Sequence, residues 1–311
     1  MPPADPLLLS TAQMARFAAR GYLRFEAVVP ERINNAFLAL VGEAGDGSEG
    51  LAGHYKRLLE ESAVPVVAAG TPLAETYPPG SPLHELIELP IVRGAIESLV
   101  GPGAHFDHHF LHITFPEYWY TESQQVPKAQ HWHQDSTIDT RRAFDIQLFY
   151  FPHPVTPDMG GTRFLPGSHL RLVSEAAIAR YQNIRGQEHV VCPAGTVLIF
   201  HHGLWHGGGM NRSDHLRYLF KIRLCPQLRQ ERLWDTSDLP APPHLQRPIF
   251  WTGSETDRST VAAMLTRPEP WFEADTRRLE YIARARFWRF LTGDVHFDAD
   301  YWLTRIENEP D

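Results

Sequence analysis

Residues 144–169 read FDIQLFYFPHPVTPDMGGTRFLPGSH, and their pattern sets the fold class. Phe144–Phe151 alternates in side-chain character with the period of two that a β-strand imposes. Turn residues then interrupt the chain at Pro157–Gly161 and again at Pro166–Gly167. The same unit recurs on either side. His105–Phe115 alternates, which assigns Phe106, His108, Phe110, His112 and Thr114 to one face. Val190–Cys192, Thr196–Phe200 and Leu216–Leu224 alternate again, separated by turns at Pro193-Ala194-Gly195 and Gly207–Gly209. Short strands at this density predict a β-sandwich or barrel.

Helical signals flank this core. Ser10 or Thr11 caps a helix with Met14, Phe17 and Ala18 on its apolar face, and Gly21 ends it. A strand follows at Tyr22–Phe25, then an amphipathic helix over Val29–Leu40 entered through Pro30. Gly42–Gly53 reads as a surface loop. Leu83–Val100 carries apolar residues at helical spacing up to a Gly101-Pro102-Gly103 stop. Beyond Pro226 the strands cease: Asp238–Pro243 and Pro268–Pro270 are loop-like, and Asp275–Leu291 is helical with an apolar packing stripe. Trp271, Trp288 and Trp302 in this tail suit either a cap over a site or a dimer surface. The expected organisation is one mainly β domain with flanking helices, residues 1–311. Within it, 1–103 is a helical support with the first strands, 104–225 the β core and 226–311 a helical extension.

Hydrophobic residues make up 43% of the 311 and charged residues 21%, the balance of a globular protein. A net charge of −8 argues against a nucleic-acid partner, whose backbone is bound by clustered Lys and Arg. The two cysteines, Cys192 and Cys225, have no zinc-site spacing and build no disulfide scaffold, so a cytoplasmic setting is expected. Residues 1–10 show no secretory pattern, and no apolar run reaches the roughly 18–20 residues of a membrane span. A monomer or homodimer acting on a small molecule, without membrane or nucleic-acid partners, is the expectation. Seventeen histidines direct attention to metal chemistry.

In His133-Gln134-Asp135 an imidazole and a carboxylate stand two positions apart. On an extended chain, residues i and i+2 project to one face, so both can bind one ion. Such a motif alone is weak evidence, because two exposed polar residues on an edge strand look the same. Two His and one carboxylate on one face of an octahedron suit iron(II) and leave positions open for O2 and a bidentate co-substrate. His206, beside the Gly-rich turn Gly207–Gly209, is placed to complete the set. Arg217 follows at the head of an alternating strand. Its guanidinium offers a fixed fork of donors that matches a carboxylate, such as the distal end of a 2-oxo acid. On that strand Leu219 and Lys221 share the face of Arg217, whereas Tyr218, Phe220 and Ile222 point outward. An inward Lys221 therefore needs a partner.

Five segments now stand in order: His133-Gln134-Asp135, Gly160–His169, Pro193–Phe200, Trp205–Asn211 and Arg217. In this order they resemble the phytanoyl-CoA dioxygenase family, over roughly residues 8–225. The resemblance implies a double-stranded β-helix, a cupin-like jelly roll. It implies an iron(II)/2-oxoglutarate-dependent dioxygenase that hydroxylates or otherwise oxidises a small metabolite with O2, converting 2-oxoglutarate to succinate and CO2. His133, Asp135 and His206 are then the iron ligands, and Arg217 binds the 2-oxoglutarate side-chain carboxylate. Thr114, His112, Gln147 and Phe149, on strands expected to line the barrel, are implied contacts. Many relatives carry a hydroxyl two positions after the distal His, where this chain has Gly208; Ser213, Thr114 or a water is the expected substitute. Retention of Asp135 argues for oxygenation over halogenation. The competing reading is a jelly roll that binds a small molecule without catalysis, or one that holds another metal.

The remaining candidates carry bland readings beside the functional ones. His131 is a support for His133, an alternative ligand, or a packed or exposed histidine; His201 and His202 precede the distal ligand; Arg141 and Arg142 either meet an anionic substrate or, the favoured reading, form a solvated pair. Gly160–His169 reads as a structural turn at the barrel mouth.

Overall fold

The N-terminal helix forms where its caps dictate. In α1 (Thr11–Arg20) the Ser10 hydroxyl accepts from Gln13 N, and the Gln13 side chain accepts from Ser10 N at 2.9 Å. Gly21 ends it at φ 77°, its N–H donating to Phe17 O. The computed structural model describes residues 5–41, 53, 64–122, 129–135, 145–171, 178–179, 181, 183–227, 233–235, 237 and 293–296. Of the expected loop Gly42–Gly53 only Gly53 is described, in helical conformation; Arg141 and Arg142, the loops at 238–243 and 268–270, the helix over 275–291 and the three tail tryptophans lie outside these residues. Among them no helix is long and apolar enough to cross a membrane, and both cysteines are free thiols.

The elements continue with β1 (Tyr22–Phe25), α2 (Glu31–Val41), α3 (Leu73–Thr76), α4 (Pro82–Ile87), α5 (Pro90–Val100), β2 (His105–Thr114) and α6 (Glu117–Glu122). Then come β3 (Ile146–Phe151), β4 (Thr162–Phe164), β5 (Glu188–His189), β6 (Thr196–His201), β7 (His206–Gly208) and β8 (Arg217–Cys225). The helical spacing over Leu83–Val100 resolves into two helices, α4 and α5. Pro90 has no N–H to continue α4, and it starts α5 at the position where a proline fits.

Two antiparallel sheets face one another, as in a jelly roll. The larger has the order β1-β6-β3-β8-β2 and the smaller β5-β4-β7. His133 extends the smaller sheet beyond β7, with His133 N donating to His206 O and His206 N to His133 O. Strands β3 and β6 are buried along their whole length, because helices cover one face and the second sheet the other. Ile146, Leu148, Tyr150, Phe220 and Ile222 pack with Phe17, Phe37, Leu86 and Leu99 on the helical side. Phe149, Phe151, Phe164, Leu198, Phe200 and Leu219 fill the space between the sheets. The outward positions expected on β8 are thus observed. The tail returns to the start: Asp235 N donates to Leu9 O, and Trp234 Nε1 to Thr11 Oγ1 at 3.1 Å.

Two expectations about faces change. A register shift between Phe106 and His108 inserts Asp107 as an extra residue, so Phe106 packs under the helices while His108, Phe110, His112 and Thr114 share the inner face. The expected turn Gly207–Gly209 begins as strand: Gly207 and Gly208 pair with Arg163 and Thr162 of β4. A side chain at Gly207 would meet the carbonyl of His131, and one at Gly209 that of Gly160. These glycines admit neighbouring backbone rather than a ligand.

The segment Gly160–His169, read from sequence as a structural turn, contains strand β4 and ends in a tie to α1. His169 Nε2 donates to Ala18 O at 3.0 Å, and its ring lies where any side chain at Gly21 would fall. Burial drives this imidazole's pKa down to about 4. The neutral ring's contribution is fully present above about pH 6.5, the unfolded value. It shrinks as pH falls and is lost once pH passes below about 4. That amounts to about 3 kcal/mol between the two limits. Denaturant unfolding of wild type and His169→Gln at pH 7.5 and pH 4 is expected to show a shallower acid loss in the variant; equal slopes would remove the assignment.

Candidate metal centre

Trp132 orients the motif that carries the first two ligands. Its fully buried indole packs with Leu165, Ile178 and Trp205 outside the smaller sheet, and the Arg163 guanidinium lies 5.0 Å from its ring centre. His133, next in the chain, therefore turns inward. Asp135 follows two positions on, and β7 delivers His206 across the pair of backbone hydrogen bonds. One ligand atom from each of the three lies within 4.8 Å of the others. His133 Nε2 stands 3.3 Å from Asp135 Oδ1, and His206 Nε2 3.6 Å from Asp135 Oδ2.

Both rings are held by backbone carbonyls. His133 Nδ1 donates to His131 O at 3.0 Å and His206 Nδ1 to Leu204 O at 2.9 Å. With Nδ1 tied to backbone in each ring, Nε2 faces the carboxylate and is the nitrogen left for a metal. Burial pushes His206 down. For His133 burial opposes charge, but Asp135 and the His131 carbonyl outweigh it. Burial likewise disfavours the Asp135 carboxylate, yet hydrogen bonds from both imidazoles and the charge of Lys221 hold it well below the usual range. His131 itself is exposed and serves through its carbonyl. His201 and His202 are buried beside α1 and Asp145, with Asp145 N donating to His202 Nδ1. Neither imidazole is in the metal-binding group found among the described residues.

The inner face of β8 supplies the cations. Arg217 is buried, donating through Nη1 to Gly160 O and through Nη2 to Thr114 Oγ1 at 2.7 Å, while its Nε has no partner. Burial lowers it to about 10, and no carboxylate pairs with it among the described residues. Thr114, not Ser213, thus provides the hydroxyl at this end. The Ser213 hydroxyl bonds Asn211 and His215 within its own loop. His112 faces the same space, driven to about 4 by burial and then by the charge of Lys221. Phe149 lies 5.6 Å from the His206 ring. Gln147 is fully buried with both amide atoms unpartnered, and its register partner Arg223 places it far from Arg217.

Three supports were missed in the sequence. Lys221 Nζ donates to Asp135 Oδ2 at 2.5 Å, which supplies the partner an inward lysine needs. Arg223 binds Asp145 through Nε and Nη2 and the Asp135 carbonyl through Nη1, fixing the ligand-bearing segment. Gln130 accepts from Gly208 N at 3.0 Å, steadying β7. The parity of Arg217, Lys221 and Arg223 was visible in the sequence; nothing marked Gln130. A separate cavity of about 840 Å³, lined by residues including Arg163, His189 and Arg212, lies on the outer face of the smaller sheet and contains none of the three ligands.

Residues 92–219 match the phytanoyl-CoA dioxygenase family model. Uncharacterised proteins of Mycobacterium tuberculosis and Mycobacterium bovis are 28% identical over 130 residues, 41% of this chain. The match takes in 45% of each relative, less than half its length. Among solved structures, a non-haem alpha-ketoglutarate-dependent carbocyclase of nogalamycin biosynthesis is 18% identical, with a TM-score of 0.48 over 72% of this chain and 87% of that one. The epimerase of the same biosynthesis, in complex with Fe3+ and alpha-ketoglutarate, is 16% identical, with a TM-score of 0.49 over 75% and 91%. Residues 92–219 are thus similar to the phytanoyl-CoA dioxygenase family, and the jelly-roll topology accords with that likeness.

Proposed function

We propose that the protein is an iron(II)/2-oxoglutarate-dependent oxygenase acting on a small organic molecule. The observation that carries this reading is the pairing of two features on one inner surface. A two-histidine, one-carboxylate set converges with each Nε2 turned towards the carboxylate, and a buried guanidinium on the same inner surface has, among the described residues, an unpartnered Nε and no carboxylate partner. A buried charge of this kind calls for an anion, and a dicarboxylic 2-oxo acid spans metal and cation at once.

The donor set fits the metal. Imidazole plus carboxylate suits iron(II), and three protein ligands leave positions for co-substrate and O2. His133, Asp135 and His206 would hold it, and bound iron would supply O2 activation coupled to oxidative decarboxylation of the 2-oxo acid to succinate and CO2. The chain's own part is positional. Arg217, aimed by Gly160 O and Thr114, receives the distal carboxylate. Phe149, Phe200 and Leu219 keep the region between the sheets dry. Arg223 and Asp145 hold the Asp135 segment in register. Hydroxylation of the bound molecule is the proposed outcome; desaturation, epoxidation or ring formation would use the same residues.

Aerobic incubation with iron(II) and 2-oxoglutarate is expected to yield succinate above a metal-free control even without primary substrate. Metal-replete protein that gives no succinate with or without a broad metabolite panel would end this reading.

A further inference from the structure

Lys221 sits on the inner face of β8 four residues from Arg217, about 13 Å along the strand. Its side chain is only 6% exposed, and its ammonium contacts Asp135. The charges around it are already assigned. Arg223 is committed to Asp145. Under the reading above, a divalent metal claims the Asp135 carboxylate, and the 2-oxo acid's two carboxylates meet the metal and Arg217. Lys221 is then left as a buried cation whose remaining partner is shared with the metal, and such a group is costly unless a further anion arrives.

The structure also shows where that anion would enter. Lys221 Nζ lies 5.4 Å from the ring centre of Phe110, which is 52% exposed although it stands on the inner face of β2. His108, Phe110 and His112 form a ladder of rings with centres 5.0 and 5.9 Å apart along the inner face of β2, with the exposed Phe110 in the middle. An aromatic wall whose exposed middle ring stands against a buried ammonium favours a ligand with a flat apolar body and an anionic group.

We propose that Lys221 anchors a carboxylate or comparable oxyanion on the primary substrate, whose apolar body lies along the His108, Phe110 and His112 rings. This inference rests on the oxygenase reading and names the substrate class for it.

The test uses anaerobic protein loaded with iron(II) and 2-oxoglutarate, titrated calorimetrically with benzoate, 3-phenylpropanoate and indole-3-acetate, each beside its primary amide. In wild type at least one acid is expected to bind about tenfold or more tightly than its amide, the worth of a charge-assisted hydrogen bond. Lys221→Met should bring that ratio close to one, and Lys221→Arg should keep it; Lys221→Gln replaces the apolar variant if that does not fold. The ratio is taken within each variant, so a general effect on the metal site cancels. Three results would overturn the proposal: no acid binds, the preference survives Lys221→Met, or the substitution instead raises the 2-oxoglutarate requirement. The visible iron–keto acid band of the same sample separates the two levels. Its absence in wild type counts against the oxygenase reading, whereas a normal band without acid preference counts against Lys221 alone.

Discussion

Asp135→Ala is expected to abolish metal binding and 2-oxoglutarate turnover together, the largest effect of any single substitution in the molecule. Asp135 is the point at which both imidazoles and Lys221 meet. Without it the metal would face two neutral nitrogens and a buried ammonium. The substitution also leaves Lys221 buried beside Phe110 without a counter-charge. Breaking a buried pair in this way costs about 3–5 kcal/mol, so loss of activity alone would be ambiguous. The double variant Asp135→Ala/Lys221→Met removes the orphan cation. It is expected to recover most of that stability in denaturant unfolding while still binding no iron. Recovery of metal binding in the double variant would show that Lys221 repulsion, not ligand loss, explained the single one.

Arg217→Ala is expected to leave metal binding intact and to raise the 2-oxoglutarate concentration required for half-maximal turnover by about 10²- to 10³-fold, since truncating one partner of a buried charge pair costs about 2–5 kcal/mol. The limiting rate at saturating co-substrate should fall much less, because the guanidinium contacts the end of the co-substrate remote from the metal. Arg217→Lys restores the charge but not the planar fork that reaches both Gly160 O and Thr114 Oγ1, and should recover only part of the affinity. A fall in the limiting rate with an unchanged co-substrate requirement would assign Arg217 to the scaffold.

Much of this site was legible in the sequence because its signals are local. The spacing of His133 and Asp135 needs only an extended chain, and Ser10, Gln13 and Gly21 frame α1 by contacts within a few residues. The place of His206 came from the order of motifs that resemble a family, and the structure pairs it with His133. Features set across strands were not legible. The extra residue at Asp107 turns Phe106 away from the face shared by the next inner residues, and it shows only when β2 is aligned with β8. Lys221 appeared as a tension because its partner lies 86 positions earlier in the chain. The hydroxyl at the Arg217 end was open between Thr114 and Ser213 until the register of β2 against β8 placed Thr114 opposite Arg217. Pro90 was a local signal read past: the apolar spacing runs through it, but the backbone hydrogen bonds of one continuous helix do not.

Anaerobic addition of iron(II) and then 2-oxoglutarate, followed in the visible spectrum, tests the central claim most directly. Wild-type protein is expected to develop a weak metal-to-keto acid charge-transfer band that needs both components, and Asp135→Ala to develop none. A wild-type protein that binds iron yet shows no band, or a band that persists in Asp135→Ala, would contradict the assignment of His133, Asp135 and His206 as an iron site that takes a 2-oxo acid.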